Sequence, residues 1–217
     1  KVIKVIYYNK KDIPVYLLSL YSFFVFTVYL GQEQLTSDRL FAALGFLFVS
    51  TALLASCMLK FDFLNKWMKR FSLFINGFIL LMSPFVSFIM VETMVDNFNP
   101  VMFKAYGLYN IIWYIIIYYM IFALIMNSRL TILIGTVFIY LCGTVNYLVY
   151  HFRGNPILPS DILVWRTGLS VAGSYKLSFT REFLASTLIM LALFAAAHQL
   201  EDRDTKPKLR FRLLAVA

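Results

Sequence analysis

Two arginines lie within a stretch that contains two prolines and two glycines, HFRGNPILPSDILVWRTGLS, at residues 151–170. Arg153 and Arg166 each carry a planar guanidinium group, which can bind a phosphate through two parallel hydrogen bonds. Asp161 lies between them and can pair with one arginine or orient a hydroxyl group. The residue types and their order predict a site for the phosphate of a lipid head group at a membrane surface.

The neighbouring residues predict how such a site is built. Gly154, Pro156 and Pro159 restrict the backbone to a tight path. Trp165 is typical of the interface between membrane and water. An alternative interpretation remains open, in which the arginines extend to the interface beside a loop that is purely structural.

Glu92 is a further candidate, because it falls near the outer end of a long apolar segment. An ionisable residue at membrane depth is a functional candidate by default, and Glu92 is therefore a second possible contact for a head group. The alternative is that its side chain simply reaches the interface. The sequence has no nucleotide-binding glycine loop, zinc-ligand spacing or Ser-His-acid arrangement, so we predict no catalytic or metal-binding residue in it.

The elements that position these residues are long apolar segments. Hydrophobic residues make up 61% of the 217 residues and charged residues 14%, whereas soluble domains are about 25% charged. A membrane-spanning helix needs about 20 apolar residues, and these segments lack the period-two alternation of a β-barrel. The sequence predicts an all-α bundle of six complete spans and the start of a seventh. The spans are predicted at 13–30, 40–59, 71–93, 109–126, 130–150 and 182–199, with the seventh beginning near Leu209.

Three connecting segments predict helices or elbows at the membrane surface. Residues 60–70, KFDFLNKWMKR, mix aromatic residues with four cations on the inner side. Residues 99–107 predict a short outer helix that stops at Gly107. The outer loop 151–181 is the longest, and its sequence predicts an interfacial helix at about 161–172.

The distribution of positive charge predicts the orientation. The net charge is +9, and most lysines and arginines fall on one side of the bundle when the N-terminus is placed in the cytoplasm. This bias favours a cytoplasmic N-terminus and contacts with anionic lipid rather than with nucleic acid. With seven spans, whatever follows residue 217 is expected outside the cell.

Residues 146–179, NYLVYHFRGNPILPSDILVWRTGLSVAGSYKLSF, resemble a segment in the membrane part of lipoteichoic acid synthase-like proteins. The family pattern is an Asn-Tyr pair, then Arg-Gly-x-Pro and Leu-Pro-x-Asp, and later Val-Ala and a tyrosine. The matching residues are Asn146, Tyr147, Arg153, Gly154, Pro156, Leu158, Pro159, Asp161, Val171, Ala172 and Tyr175. The other spans resemble the family only in being hydrophobic helices.

The resemblance implies a bacterial plasma-membrane protein related to phosphoglycerol transferases and sulfatase-like enzymes of the alkaline phosphatase superfamily. Such proteins place a catalytic domain outside the cell, after their N-terminal helices. That domain uses a threonine nucleophile and a divalent metal, typically manganese, to transfer glycerol phosphate from phosphatidylglycerol in cell-envelope polymer synthesis. The resemblance makes residues 1–217 the membrane domain, with an anionic phospholipid and the protein's own catalytic domain, expected after residue 217, as partners. No cofactor is implied within 1–217.

Two other functions remain open from the sequence. A transporter or flippase would use Glu92, Pro84, Asn76 and Asn146, and would need a polar path and paired broken helices in two halves. The sequence offers one clear proline break within a span and no internal repeat. A passive membrane scaffold would have no ligand site at all.

Overall fold

The computed structural model of the chain describes residues 13–31, 36–58, 71–96, 105–158 and 178–200. Within these ranges the chain forms helices and contains no β-strand, so the predicted all-α class is confirmed for the part described. The helices are α1 (Ile13–Leu30), α2 (Ser37–Met58), α3 (Ser72–Met94), α4 (Ala105–Ile125), α5 (Ser128–Arg153) and α6 (Arg181–Gln199).

Five of these helices, α1, α2, α3, α5 and α6, are long and apolar enough to cross a membrane. The apolar part of α4, Tyr109–Ile125, is shorter. The predicted seventh span near Leu209 lies outside the described residues, as do the predicted elements at 60–70 and 161–172. The described part of the chain is therefore helical, and several of its helices are compatible with a multi-pass membrane protein.

The prediction that a helix stops at Gly107 is wrong. Gly107 lies in the first turn of α4, which begins at Ala105. A glycine ends a helix when its backbone takes the left-handed conformation, and among the described glycines only Gly154 has a positive φ. The apolar segment after Gly107 therefore extends the helix instead of following a turn.

The sixth helix forms the centre of the bundle. It packs against α2, α3 and α5 and briefly touches α1, while α4 packs against α3 and α5. In α6, 56% of the apolar stretch is buried, against 22% in α1. Small residues such as Ser186, Ala195 and Ala197 lie on its buried surface, and small residues allow helices to approach closely within a membrane.

Contacts at both ends of α5 and α6 show that these two helices are antiparallel. At one end the rings of Tyr147 and Phe183 lie 4.9 Å apart, centroid to centroid. At the other, Arg129 Nη2 lies 3.2 Å from His198 Nδ1. We call the first the loop end, because the connection between α5 and α6 leaves and returns there, and the second the opposite end.

Candidate functional site

The candidate site begins where α5 ends. Gly154 has φ 74° and forms a left-handed cap, and its N–H donates to the carbonyl of Tyr150 at 2.7 Å. This conformation carries little steric cost for glycine, because it has no Cβ. The Arg153 guanidinium donates from Nη2 to the carbonyl of Pro156 at 3.1 Å. The left-handed conformation of Gly154 ends the helix, and the Arg153 bond holds Pro156 close to the helix end.

Two consecutive residues of α5 hold this turn and the start of α6. Asn146 Oδ1 accepts the N–H of Ile157 at 2.9 Å. Tyr147 Oη donates to the carbonyl of Ser178 at 3.1 Å and accepts the N–H of Thr180 at 3.1 Å. The chain between Ile157 and Ser178 is therefore fixed at both ends to neighbouring positions of one helix. We call these contacts of Asn146 and Tyr147 the loop clamp.

Aromatic packing keeps the Tyr147 side of the clamp in place. The Tyr147 side chain is fully buried, and its ring lies 4.2 Å from that of His151. Phe179 and Phe183 stack with their centroids 4.2 Å apart and their planes 2° from parallel. Phe24 of α1 meets the edge of Phe179 at 6.4 Å, so the start of α6 is tied to both α5 and α1.

The N-terminus of α6 is capped at the point where the chain returns from the outer loop to the bundle. Thr180 is the N-cap residue, and its Oγ1 accepts the N–H of Phe183 at 3.3 Å. Threonine is a favoured residue at this position, because its hydroxyl satisfies one of the free N–H groups of the first turn. The backbone N–H of Thr180 binds Tyr147 while its side chain caps the helix, so one residue links the clamp to α6.

The predicted site residues are placed only in part. Arg153, Gly154 and Pro156 lie together in the turn and are exposed. The other predicted contacts of the outer loop lie outside the described residues: Pro159, Asp161, Trp165 and Arg166. An arginine has five N–H donors, so the bond to Pro156 does not use up the capacity of Arg153 for a phosphate.

Glu92 is buried near the same end of the bundle. Its side chain is 9% exposed, and it lies close enough to Tyr114 of α4 to interact electrostatically. Gly143 of α5, one turn before the clamp, faces its neighbours Val91 and Met94, which places the end of α3 beside the loop end of α5. Within the described ranges the Glu92 carboxylate has no hydrogen bond or ion pair, and no bond joins it to Arg153.

Reasoning from residue types alone did not assign a role to Asn146 and Tyr147 in this site. From residue type alone, Asn146 was a polar residue of a span that a transporter would use, and in the structure its side chain accepts the backbone N–H of Ile157. The signal in the sequence was the Asn-Tyr pair of the family resemblance. In the structure both residues of this pair bond to the ends of the loop.

In the described ranges no group of three or more His, Cys, Asp or Glu side chains is placed to hold a metal ion. These residues do not fit the divalent metal that the resemblance implies for a catalytic domain, and we assign them no metal chemistry. No protein-family model, curated protein or solved structure matches this chain.

Proposed function

We propose that this chain is the membrane domain of an extracytoplasmic, lipid-dependent phosphoglycerol transferase-like enzyme. In this proposal it anchors the catalytic domain in a bacterial plasma membrane, with the N-terminus in the cytoplasm. It also holds the outer loop where an anionic phospholipid such as phosphatidylglycerol presents its head group. The observation that carries the proposal is the loop clamp of Asn146 and Tyr147.

The clamp supports the proposal because it gives a physical role to the residues of the resemblance that lie in the described ranges. Asn146 and Tyr147 fix the two ends of the loop, and Gly154 forms the left-handed turn. Arg153 closes that turn on the carbonyl of Pro156. Fixing both ends of a segment reduces the entropy that it loses when a ligand binds it, which suits a loop that recognises a head group.

Arg153 is the described residue best suited to contact the lipid phosphate. Arg153 is exposed and is the last residue of an apolar helix, at the depth expected for head groups. A guanidinium group binds phosphate oxygens bidentately, and such bonds strengthen where water is excluded. In the proposal Asp161, Trp165 and Arg166 complete the site, and Glu92 lies beside it.

The buried polar groups favour this function over transport. Tyr118 Oη bonds to the hydroxyls of Ser87 and Thr136 at 2.8 and 2.9 Å, and Tyr140 Oη bonds to Tyr21 and Thr187 in the same way. Hydroxyls that satisfy one another tie helices together. They do not form an open row of polar groups along which a solute can move.

The proposal is tested on the complete gene product in membranes that contain fluorescent phosphatidylglycerol and manganese. We expect release of fluorescent diacylglycerol as the glycerol phosphate is transferred. Arg153→Gln should lower the rate about tenfold or more, since one charged hydrogen bond is worth about 1.5–3 kcal/mol. Protein abundance and thermal unfolding should stay near the wild-type values. The matched control is Arg39→Gln, which removes a cation that lies over the ring of Tyr29 at 5.2 Å.

Three results would contradict the proposal. Absence of diacylglycerol release by a folded complete product would exclude the transferase activity. If activity is unchanged after the membrane domain is replaced by an unrelated anchor, the enzyme is a transferase but this domain is only a passive scaffold. Equal losses in Arg153→Gln and Arg39→Gln would show that removal of any outer cation has the same effect.

A further inference from the structure

An open apolar groove of about 470 Å³ lies on the surface of the bundle, away from the loop clamp. Its floor is the face of α5 from Leu130 to Leu141. Pro14 at the start of α1 and Phe194 of α6 form its walls. The three helices that line it are all long and apolar enough to cross a membrane, so the groove faces hydrocarbon in the membrane-spanning arrangement.

The groove has the length of one acyl chain. Leu130 and Leu141 are eleven residues apart, which corresponds to about 16 Å along a helix. The hydrocarbon core of a bilayer is about 30 Å thick, so the groove covers about half of it. Its floor residues remain open to a ligand, with Ile134 48% exposed and Phe138 51% exposed.

One end of the groove meets a pair of polar side chains. Arg129 directly precedes Leu130, and its Nη2 lies 3.2 Å from Nδ1 of His198. Because an arginine N–H can only donate, Nδ1 must accept this bond, and the ring proton of His198 lies on Nε2. The His198 ring stacks over Phe194, with centroids 6.2 Å apart and planes 15° from parallel. The wall of the groove therefore continues directly into this polar pair.

We propose that the groove binds one acyl chain of an anionic phospholipid whose phosphate lies against Arg129. An arginine can donate hydrogen bonds to His198 and to a phosphate at the same time, because its five N–H donors point in several directions. The polar pair stands at the opposite end of the bundle from the outer loop, so this lipid belongs to the other leaflet. The site is distinct from the head-group site at the loop end and does not depend on it.

The test is native mass spectrometry of the purified chain in detergent, titrated with dioleoylphosphatidylglycerol. We expect one lipid to bind to the groove of the wild-type chain. Ile134→Trp fills the groove and should weaken that binding at least about tenfold, or about 1.4 kcal/mol. The matched control is Ile112→Trp on α4, since Ile112 is 50% exposed and does not line the groove. Both variants are also measured together with Arg153→Gln, so that phosphatidylglycerol bound at the proposed loop-end site does not count toward the groove.

A second comparison tests the polar end. Dioleoylglycerol has the same chains without the phosphate, and it should bind the wild-type chain more weakly than phosphatidylglycerol. Arg129→Gln should remove this difference while Arg129→Lys keeps part of it. Wild-type affinity in Ile134→Trp, or equal binding of the two lipids to the wild-type chain, would overturn the proposal. A dimer that Ile134→Trp dissociates would also overturn it, because a second copy would then occupy the groove.

Discussion

Asn146 and Tyr147 are consecutive residues of α5, yet they bind opposite ends of the connection to α6. Asn146 accepts the N–H of Ile157 as the chain leaves, and Tyr147 binds Ser178 and Thr180 as it returns. Consecutive helical residues point about 100° apart. This angle separates the outgoing chain, at the partly exposed Asn146, from the returning chain, at the fully buried Tyr147.

Removing the Tyr147 hydroxyl should release the return of the loop. In Tyr147→Phe the N–H of Thr180 and the carbonyl of Ser178 both lose their partner. Each hydrogen bond of this kind contributes about 0.5–1.5 kcal/mol, so the two together contribute about 1–3 kcal/mol. We expect the free energy of unfolding to fall by about this amount and amide exchange in residues 178–183 to accelerate. Thermal unfolding and hydrogen-exchange mass spectrometry in detergent measure both effects.

The control for this change is Tyr109→Phe, which removes a hydroxyl from a tyrosine that is 66% exposed. It should alter neither stability nor exchange. If Tyr147→Phe behaves like this control, the two bonds of Tyr147 do not hold the loop and the clamp acts through Asn146 alone.

A methyl group at Gly135 should disrupt the contact between α4 and α5. A Cβ built there would lie 2.7 Å from Cε1 of Tyr118. The ring has little freedom to move, because it is 2% exposed and its hydroxyl bonds to Ser87 and Thr136. Overpacking of this kind costs about 1–3 kcal/mol, so Gly135→Ala should lower the temperature of thermal unfolding.

Gly45→Ala in α2 is the matched control, because nothing lies within 4 Å of a Cβ built at Gly45. Alanine is preferred over glycine inside a helix by about 1 kcal/mol, so this variant should be as stable as the wild type or more stable. A similar loss in both variants would mean that helix flexibility, and not the Tyr118 contact, requires glycine.

The bond between Tyr21 and Tyr140 should link α1 to the centre of the bundle. Their hydroxyls lie 2.8 Å apart, and Tyr140 also bonds to Thr187 of α6 at 2.7 Å. A double-mutant cycle of Tyr21→Phe and Tyr140→Phe should give a coupling of about 0.6 kcal/mol, the average for such bonds within membranes. Additive losses of unfolding free energy would show that the two hydroxyls do not stabilise each other.

Replacing the Glu92 carboxylate by an amide should stabilise the bundle. Glu92 is 9% exposed and has no hydrogen bond or ion pair to any other described residue, and a buried charge without a partner is costly. Glu92→Gln keeps the shape and removes the charge, so the temperature of thermal unfolding at neutral pH should rise. Glu182→Gln at the start of α6 is the control, because an acid in the first turn interacts favourably with the helix dipole, and its loss should not stabilise the chain. A fall in stability for Glu92→Gln would mean that a bound group holds the carboxylate.

The amino-acid sequence by itself determined the helices. Apolar runs of span length leave the backbone no partner except itself in hydrocarbon. The predicted segments 13–30 and 182–199 therefore agree with α1 and α6 to within one residue. The predicted stop at Gly107 was wrong, because a glycine ends a helix only where the backbone takes the left-handed conformation. Composition alone does not specify that conformation.

Only the tertiary structure decided what the polar residues do. The sequence placed Asn146 and Tyr147 in a span, but their partners Ile157, Ser178 and Thr180 are up to 33 residues away. Likewise, no local pattern brings Arg129 to His198, because these residues lie 69 positions apart and meet only when α5 and α6 pack antiparallel. Helix formation depends on neighbours in sequence, whereas a binding site depends on which faces of the helices are packed together.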